Sequence, residues 1–111
     1  MRKVSETVVK AVLDGKAKSV SNTSCTEDRL YLYGNIIAAR GGKGEIRIYN
    51  GGYFTATTKE RLNALLQLMN SSGKYEMTAS SVYQKNFQWY IQWNNGDSCE
   101  FSNGTLVGVM K

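Results

Sequence analysis

The sequence predicts an α+β domain: two amphipathic helices packed on antiparallel β-meander sheets, in the approximate order α-βββ(β)-α-ββββ. Three observations carry this. In TTKERLNALLQLMN (57–70), Leu62, Leu65, Leu66 and Met69 fall at i, i+3, i+4 and i+7, one stripe of a helix. RLYLY, EIRIY and FQWYIQW alternate with the two-residue period of a strand. Gly34-Asn35, Asn95-Gly96 and Asn103-Gly104 are hairpin-turn signals, and with no proline in the chain nothing keeps the strands from central positions.

Taken in order, Val4 to Leu13 reads as the first helix. Ser5 can cap it, Val8, Val9, Val12 and Leu13 make its apolar stripe, and Gly15 is a natural stop. SVSNTSCTE is a weakly signalled edge strand. RLYLY then turns at Gly34-Asn35 into IIAAR, and GGKG leads into EIRIY, with Leu30, Leu32, Ile46 and Ile48 facing inward. The second helix is expected to start with a capping box of Thr57 and Glu60 and to stop at Gly73. Its stripe is expected in the core, with Lys59 and Gln67 outward. YEMTASSVY runs to a turn near Gln84-Lys85-Asn86, FQWYIQW returns, and Asn95-Gly96 and Asn103-Gly104 set off SCEF and TLVGVM.

The 111 residues are enough for one domain with one real core. No run of apolar residues is long enough for a transmembrane helix, so no membrane partner is expected. Glu6, Lys10 and Asp14 interrupt any signal-peptide core near the start, which reads as a cytosolic protein. Cys25 and Cys99 are too few for a disulfide scaffold and lack zinc spacing, so both are expected as reduced thiols. The net charge of +5 suits an acidic protein surface or nucleic acid without establishing either. It argues against a DNA mimic.

NFQWYIQWN (86–94) is the most aromatic stretch. Phe87, Trp89, Ile91 and Trp93 share one parity and are expected to face the helices, with one tryptophan near a rim so that its indole N–H finds a partner. Tyr90 then points outward. On the first meander Tyr31, Tyr33, Arg47 and Tyr49 take the outer parity, with Arg40 and Lys43 at the edge. Rings beside guanidinium groups suit stacking of single-stranded nucleic acid, and equally a protein-interface hot spot. Tyrosine on an ordinary solvated sheet face has the same pattern. These seven residues, Tyr31, Tyr33, Arg40, Lys43, Arg47, Tyr49 and Tyr90, are the candidate binding residues.

The chain has no histidine, which removes Ser-His-Asp and Cys-His constellations and the commonest general base. Glu27-Asp28 lies in a predicted turn, and Asp97 and Glu100 flank another; nothing singles out a catalytic carboxylate pair. GGKGE lacks the second half of a phosphate-binding loop and joins two strands. No enzyme activity, cofactor or metal is expected.

Asn22-Thr23, LYLYGN (30–35), Ile37-Ala38, GGYFTATTKERLN (51–63), Gln84-Lys85 and Trp89-Tyr90 together resemble a family of small accessory proteins of tailed bacteriophages, over roughly residues 1–93. The family pattern often has a histidine at the position of Tyr33, a tryptophan at that of Tyr53, and a shorter C-terminal segment. The resemblance implies a phage origin and action in the cytoplasm of the bacterial host, and it brings no catalytic residues. Small phage accessory proteins commonly act by binding. The leading expectation is therefore stoichiometric binding to a host or defence protein or ribonucleoprotein, for example as an anti-CRISPR-type inhibitor. The alternatives are direct single-stranded nucleic-acid binding through the Tyr/Arg face and capture of an anionic nucleotide.

Overall fold

The structure of the protein, a computed structural model, describes residues 3–42, 44–52, 54–76 and 78–111. Two helices, α1 (Lys3–Leu13) and α2 (Ala56–Ser72), divide ten strands into two sets. The first set is β1 (Lys18–Val20), β2 (Thr23–Cys25), β3 (Arg29–Leu32), β4 (Asn35–Arg40) and β5 (Glu45–Ile48). The second is β6 (Tyr75–Glu76), β7 (Ala79–Lys85), β8 (Gln88–Trp93), β9 (Ser98–Glu100) and β10 (Thr105–Met110). The α+β class matches the sequence expectation, and the element order is close to it, with five strands after each helix among the described residues where three or four and then four were expected.

Among the described residues the strands form a seven-stranded sheet, β1-β2-β3-β4-β5-β10-β6, and a three-stranded sheet, β7-β8-β9, antiparallel throughout. The alternation that predicts the strands also fills the core. Cys25, Leu30, Ala38 and Ile48 stand opposite one another in a single row across β2–β5, and all four are buried. Val8, Val9 and Val12 of α1 and Leu62, Leu65, Leu66 and Met69 of α2 are buried with them. Removing each such side chain from water stabilises the fold by about 1.5–3 kcal/mol. Burial raises the pKa of the Cys25 thiol, whose Sγ–H donates to the Lys16 carbonyl at 3.2 Å. Burial likewise raises that of the Tyr75 phenol.

The smaller sheet lies along α2. Asn63 offers both ends of its amide to one residue of the edge strand β7: Nδ2 donates to Val82 O at 3.0 Å, and Val82 N donates to Oδ1 at 2.7 Å. Asn70 Nδ2 donates to Ala79 O at 2.9 Å, and Lys59 Nζ donates to Gln84 Oε1 at 3.2 Å. Helix numbers rise as strand numbers fall, so β7 runs antiparallel to α2. The β7–β8 turn is therefore carried to the helix's N-terminal end.

Several boundaries differ from the sequence reading. α1 starts at Lys3, so Ser5 lies within its first turn and is not the cap. The α2 cap is Thr55, whose hydroxyl accepts the Thr58 N–H at 3.2 Å; Thr57 and Glu60 do not form the expected box. Gly73 ends α2 in the left-handed region, as expected. The first hairpin turns at Tyr33-Gly34, one residue early, with Leu32 opposite Asn35. Tyr33 N donates to Asn22 O at 2.8 Å, which continues the β2–β3 register up to the turn. The second turns at Asn86-Phe87, later than expected, with Lys85 opposite Gln88. That register sets Val82 against Ile91, both in the core, where a turn at 84–86 would set Ser81 against Trp89. SCEF and TLVGVM do not pair with each other. Between β9 and β10 the chain crosses from the smaller sheet to the larger one.

Candidate functional site

The predicted binding residues do not form one surface. Tyr31 is half-buried on the outer face of the larger sheet, opposite Ser24 and Ile36. Arg47 shares that face, but its guanidinium is occupied by Glu45 at 3.6 Å and by the Gly104 carbonyl at 3.0 Å. Tyr49 is half-buried, with Gly104 close against its ring. Arg40 departs from the expectation. It sits opposite buried Ile46 and so takes the inner parity. Its guanidinium donates to the Leu13 carbonyl at the end of α1 (3.3 Å) and to the Glu27 carbonyl (3.2 Å), which is a structural role. Lys43 lies outside the described residues, as does Tyr53. Tyr90 is on the outer face of the smaller sheet, stacked on Tyr83 at 5.5 Å between ring centroids.

Tyr33 belongs elsewhere. It and Gly34 have φ of 51° and 80°, and Asn86 and Phe87 have φ of 52° and 64°; both hairpins thus turn through two consecutive left-handed residues. That geometry favours Asn or Gly and disfavours an aromatic side chain. Yet Tyr33 is 73 % exposed and Phe87 96 %, so neither ring is packed into the protein. Phe87 is therefore a correction to the aromatic row. Trp89 and Ile91 are buried as expected, Trp93 packs at the core's margin, and Phe87 has left the strand. Trp93 is the rim tryptophan, with Nε1 donating to Cys99 Sγ at 3.4 Å. Trp89 is fully buried, and its Nε1 has no hydrogen-bond partner among the described residues.

The two turns meet at one end of the molecule, where α2 begins. Phe54, 63 % exposed, precedes the Thr55 cap and stands edge-on to Trp89 at 4.9 Å. Lys59 of the first helical turn lies 5.8 Å from the centre of the Trp89 ring, and Lys85 ends β7 nearby. The β1–β2 turn is held to the same end. Arg61, buried, donates from Nε to Thr23 Oγ1 at 2.9 Å and from Nη2 to Asn22 Oδ1 at 3.3 Å, and it pairs with Glu60. Three exposed rings, Tyr33, Phe54 and Phe87, thus surround the start of α2. Sequence reasoning missed Phe54 and Phe87 as candidates. The two-residue spacing from Lys85 to Gln88 was the available signal, masked because Asn-Phe is not a usual turn pair.

Between the Tyr33 turn and the start of α2 runs a groove of about 420 Å³. Its walls include Tyr33, Asn35, Ile37, Asn50 and Thr57, and among the described residues no charged side chain lines it. A second hollow, of about 590 Å³, lies beside Trp93, Cys99 and Leu106. Among the described residues no cluster of His, Cys, Asp or Glu could hold a metal ion, and no helix is long and apolar enough to cross a membrane.

Neither the curated proteins nor the solved structures hold a match to this chain. One family model, described as Kyanoviridae Gp96 protein, matches residues 1–108. The match runs past the roughly 93 residues of the resemblance and takes in all but the end of β10. It spans both sheets, both helices and the three exposed rings, so the chain belongs to the Kyanoviridae Gp96 protein family, a family of phage proteins.

Proposed function

We propose that this phage protein is a non-catalytic binding module. It acts in the host cytoplasm and docks the α2 N-terminal end onto a bacterial host or defence protein, to inhibit or redirect it. One observation carries the reading: Phe87 stands 96 % exposed at a left-handed turn position. A non-glycine residue there costs about 1–2 kcal/mol, and no burial within the chain offsets it. Contact with a partner accounts for both the strain and the exposure. Tyr33 repeats the arrangement on the neighbouring hairpin, and exposed aromatics are what interface hot spots are built from. Lys59 and Lys85 beside the rings suit an acidic partner surface.

The test is capture of partners from infected cells by the tagged wild-type protein and by Phe87→Ala and Tyr33→Ala, with and without nuclease. A specific host protein retained by the wild type, resistant to nuclease and lost in both variants, is the expected result. Capture that disappears with nuclease would move the function to nucleic acid, for which stacked rings beside lysines are also apt.

A further inference from the structure

The smaller sheet has one edge closed and one open. Along β7 the Asn63 and Asn70 amides of α2 take up the backbone of Val82 and Ala79. Along β9 no such cover exists among the described residues. Phe101 N donates to Trp89 O at 2.9 Å and Trp93 N to Asp97 O at 2.8 Å, so the ladder with β8 runs from Asp97 to Phe101. Hydrogen bonds of an antiparallel strand alternate between its two sides, so Cys99, opposite Ile91, also faces β8. Ser98 and Glu100 therefore turn their N–H and C=O groups to the free edge. Those groups have no hydrogen bond among the described residues, and all of β9 is exposed. A row of open donors and acceptors is a template for another strand. We propose that β9 takes up an extended segment of a partner protein as a further strand of this sheet, and that the segment alternates basic and apolar side chains.

The basic half of that pattern follows from charge. Between residues 86 and 110 the chain has no lysine or arginine, and its charged residues there are Asp97 and Glu100, on a protein of net charge +5. Both carboxylates are held by neutral amides. Glu100 Oε1 accepts from Gln88 Nε2 at 2.6 Å, and Asp97 Oδ2 from Asn95 Nδ2 at 3.2 Å. Neither has an ion pair among the described residues. They are oriented but not neutralised, and a lysine or arginine on the added strand beside Glu100 supplies the missing charge. A second copy pairing through its own β9 would bring these acidic groups toward their own kind, which argues for a different partner.

The apolar half follows from the hollow of about 590 Å³ beside the same strand. Side chains of neighbouring strands share the two faces of a sheet in alternation. Glu100, opposite Tyr90, takes the outer face, and Cys99, opposite Ile91, takes the face of Trp93. The hollow lies on the Cys99 side, where Trp93, Cys99 and Leu106 form its apolar wall. Every second side chain of an added strand points that way. Strand addition draws its affinity from main-chain hydrogen bonds and its specificity from such alternate pockets. This surface is separate from the exposed rings, so the inference does not depend on the docking reading above.

The test is NMR titration of the whole protein with a short capped peptide alternating lysine and valine. The same peptide with glutamate for lysine, and a lysine peptide N-methylated along one backbone edge, are the other arms. The lysine peptide is expected to bind saturably and to slow solvent exchange of the Ser98 and Glu100 amides. The Cys99 amide, already bonded to β8, should change little. The glutamate and N-methylated peptides should give neither effect. Ser98→Pro removes an outward N–H and leaves the β8 bonds intact, and should weaken binding about tenfold. Glu100→Lys, an exposed change that keeps the strand, should reverse the preference between the lysine and glutamate peptides. The inference is overturned if the lysine peptide does not saturate, or if the N-methylated peptide binds as well, since charge alone would then explain the contact. It is also overturned if Glu100→Lys leaves the preference unchanged. Protection of Ser98 and Glu100 that grows with protein concentration alone would give the edge to a second copy and overturn the partner segment.

Discussion

The two ends of α2 are built from similar residues to different purposes. At the C-terminal end polar groups close on one another. Asn70 donates to Leu66 O at 2.8 Å and Ala79 O at 2.9 Å, and its Oδ1 accepts from Thr78 at 2.9 Å and Asn94 at 2.6 Å. Ser72 donates to Met69 O, and Gly108 lets β10 come so near that a Cβ there would run into Met69 Cε. At the N-terminal end Thr55 closes on Thr58 and Arg61 on Thr23 and Asn22, yet the rings of Tyr33, Phe54 and Phe87 remain largely exposed. Polar residues that saturate one another hold the fold together. The exposed rings, two of them at left-handed turn positions, contribute no such closure. On the docking reading proposed above, the difference puts the partner contact at the start of the helix.

That contrast can be broken by substitution. The middle of the helix sets the scale: Leu66→Ala is expected to cost about 2–5 kcal/mol in chemical denaturation, because the side chain is fully buried. A loss well below 1 kcal/mol would mean that α2 is not the core element described here. At the C-terminal end, Asn70→Ala should cost about 1–3 kcal/mol, since it strands the Ala79 carbonyl and the partners of Oδ1. Partner capture should persist in the folded fraction. At the N-terminal end the sign reverses. Phe87→Gly should raise stability by about 1 kcal/mol, by relieving a left-handed phenylalanine, while abolishing capture. A destabilised Phe87→Gly would show that the ring packs within the chain. The smallest effect is expected for Thr57→Glu, a gain of about 0.3–1 kcal/mol from the helix dipole, read as a rise in melting temperature that added salt reduces.

Local pattern was enough for the elements. The Leu62/Leu65/Leu66/Met69 stripe, the Leu30/Leu32 and Ile46/Ile48 alternation and the glycine stop at Gly73 each follow from a period or a backbone preference within a few residues, and each stands as expected. The α+β class follows because two such helices need an apolar sheet to cover. The same parity argument failed for Phe87. Periodicity marks which residues alternate but not where the alternation ends, and that was set by the pairing of Val82 with Ile91 on another strand.

Tertiary structure alone decided which residues stand together at the surface. Arg40 reads as a surface cation, yet the Leu13 and Glu27 carbonyls that hold it come from segments far away in sequence. Tyr31 and Tyr33 read as one face, until the pairing of Leu32 with Asn35 left Tyr33 in the turn. The groove between Tyr33, Asn50 and Thr57 joins three segments, and the ties of Arg61 to Thr23 and Asn22 hold α2 beside the strands that carry them. Side-chain periods are local and can be read along a chain. Which donors remain open, and which rings remain in water, depends on what distant segments have already covered, and only the folded arrangement determines that.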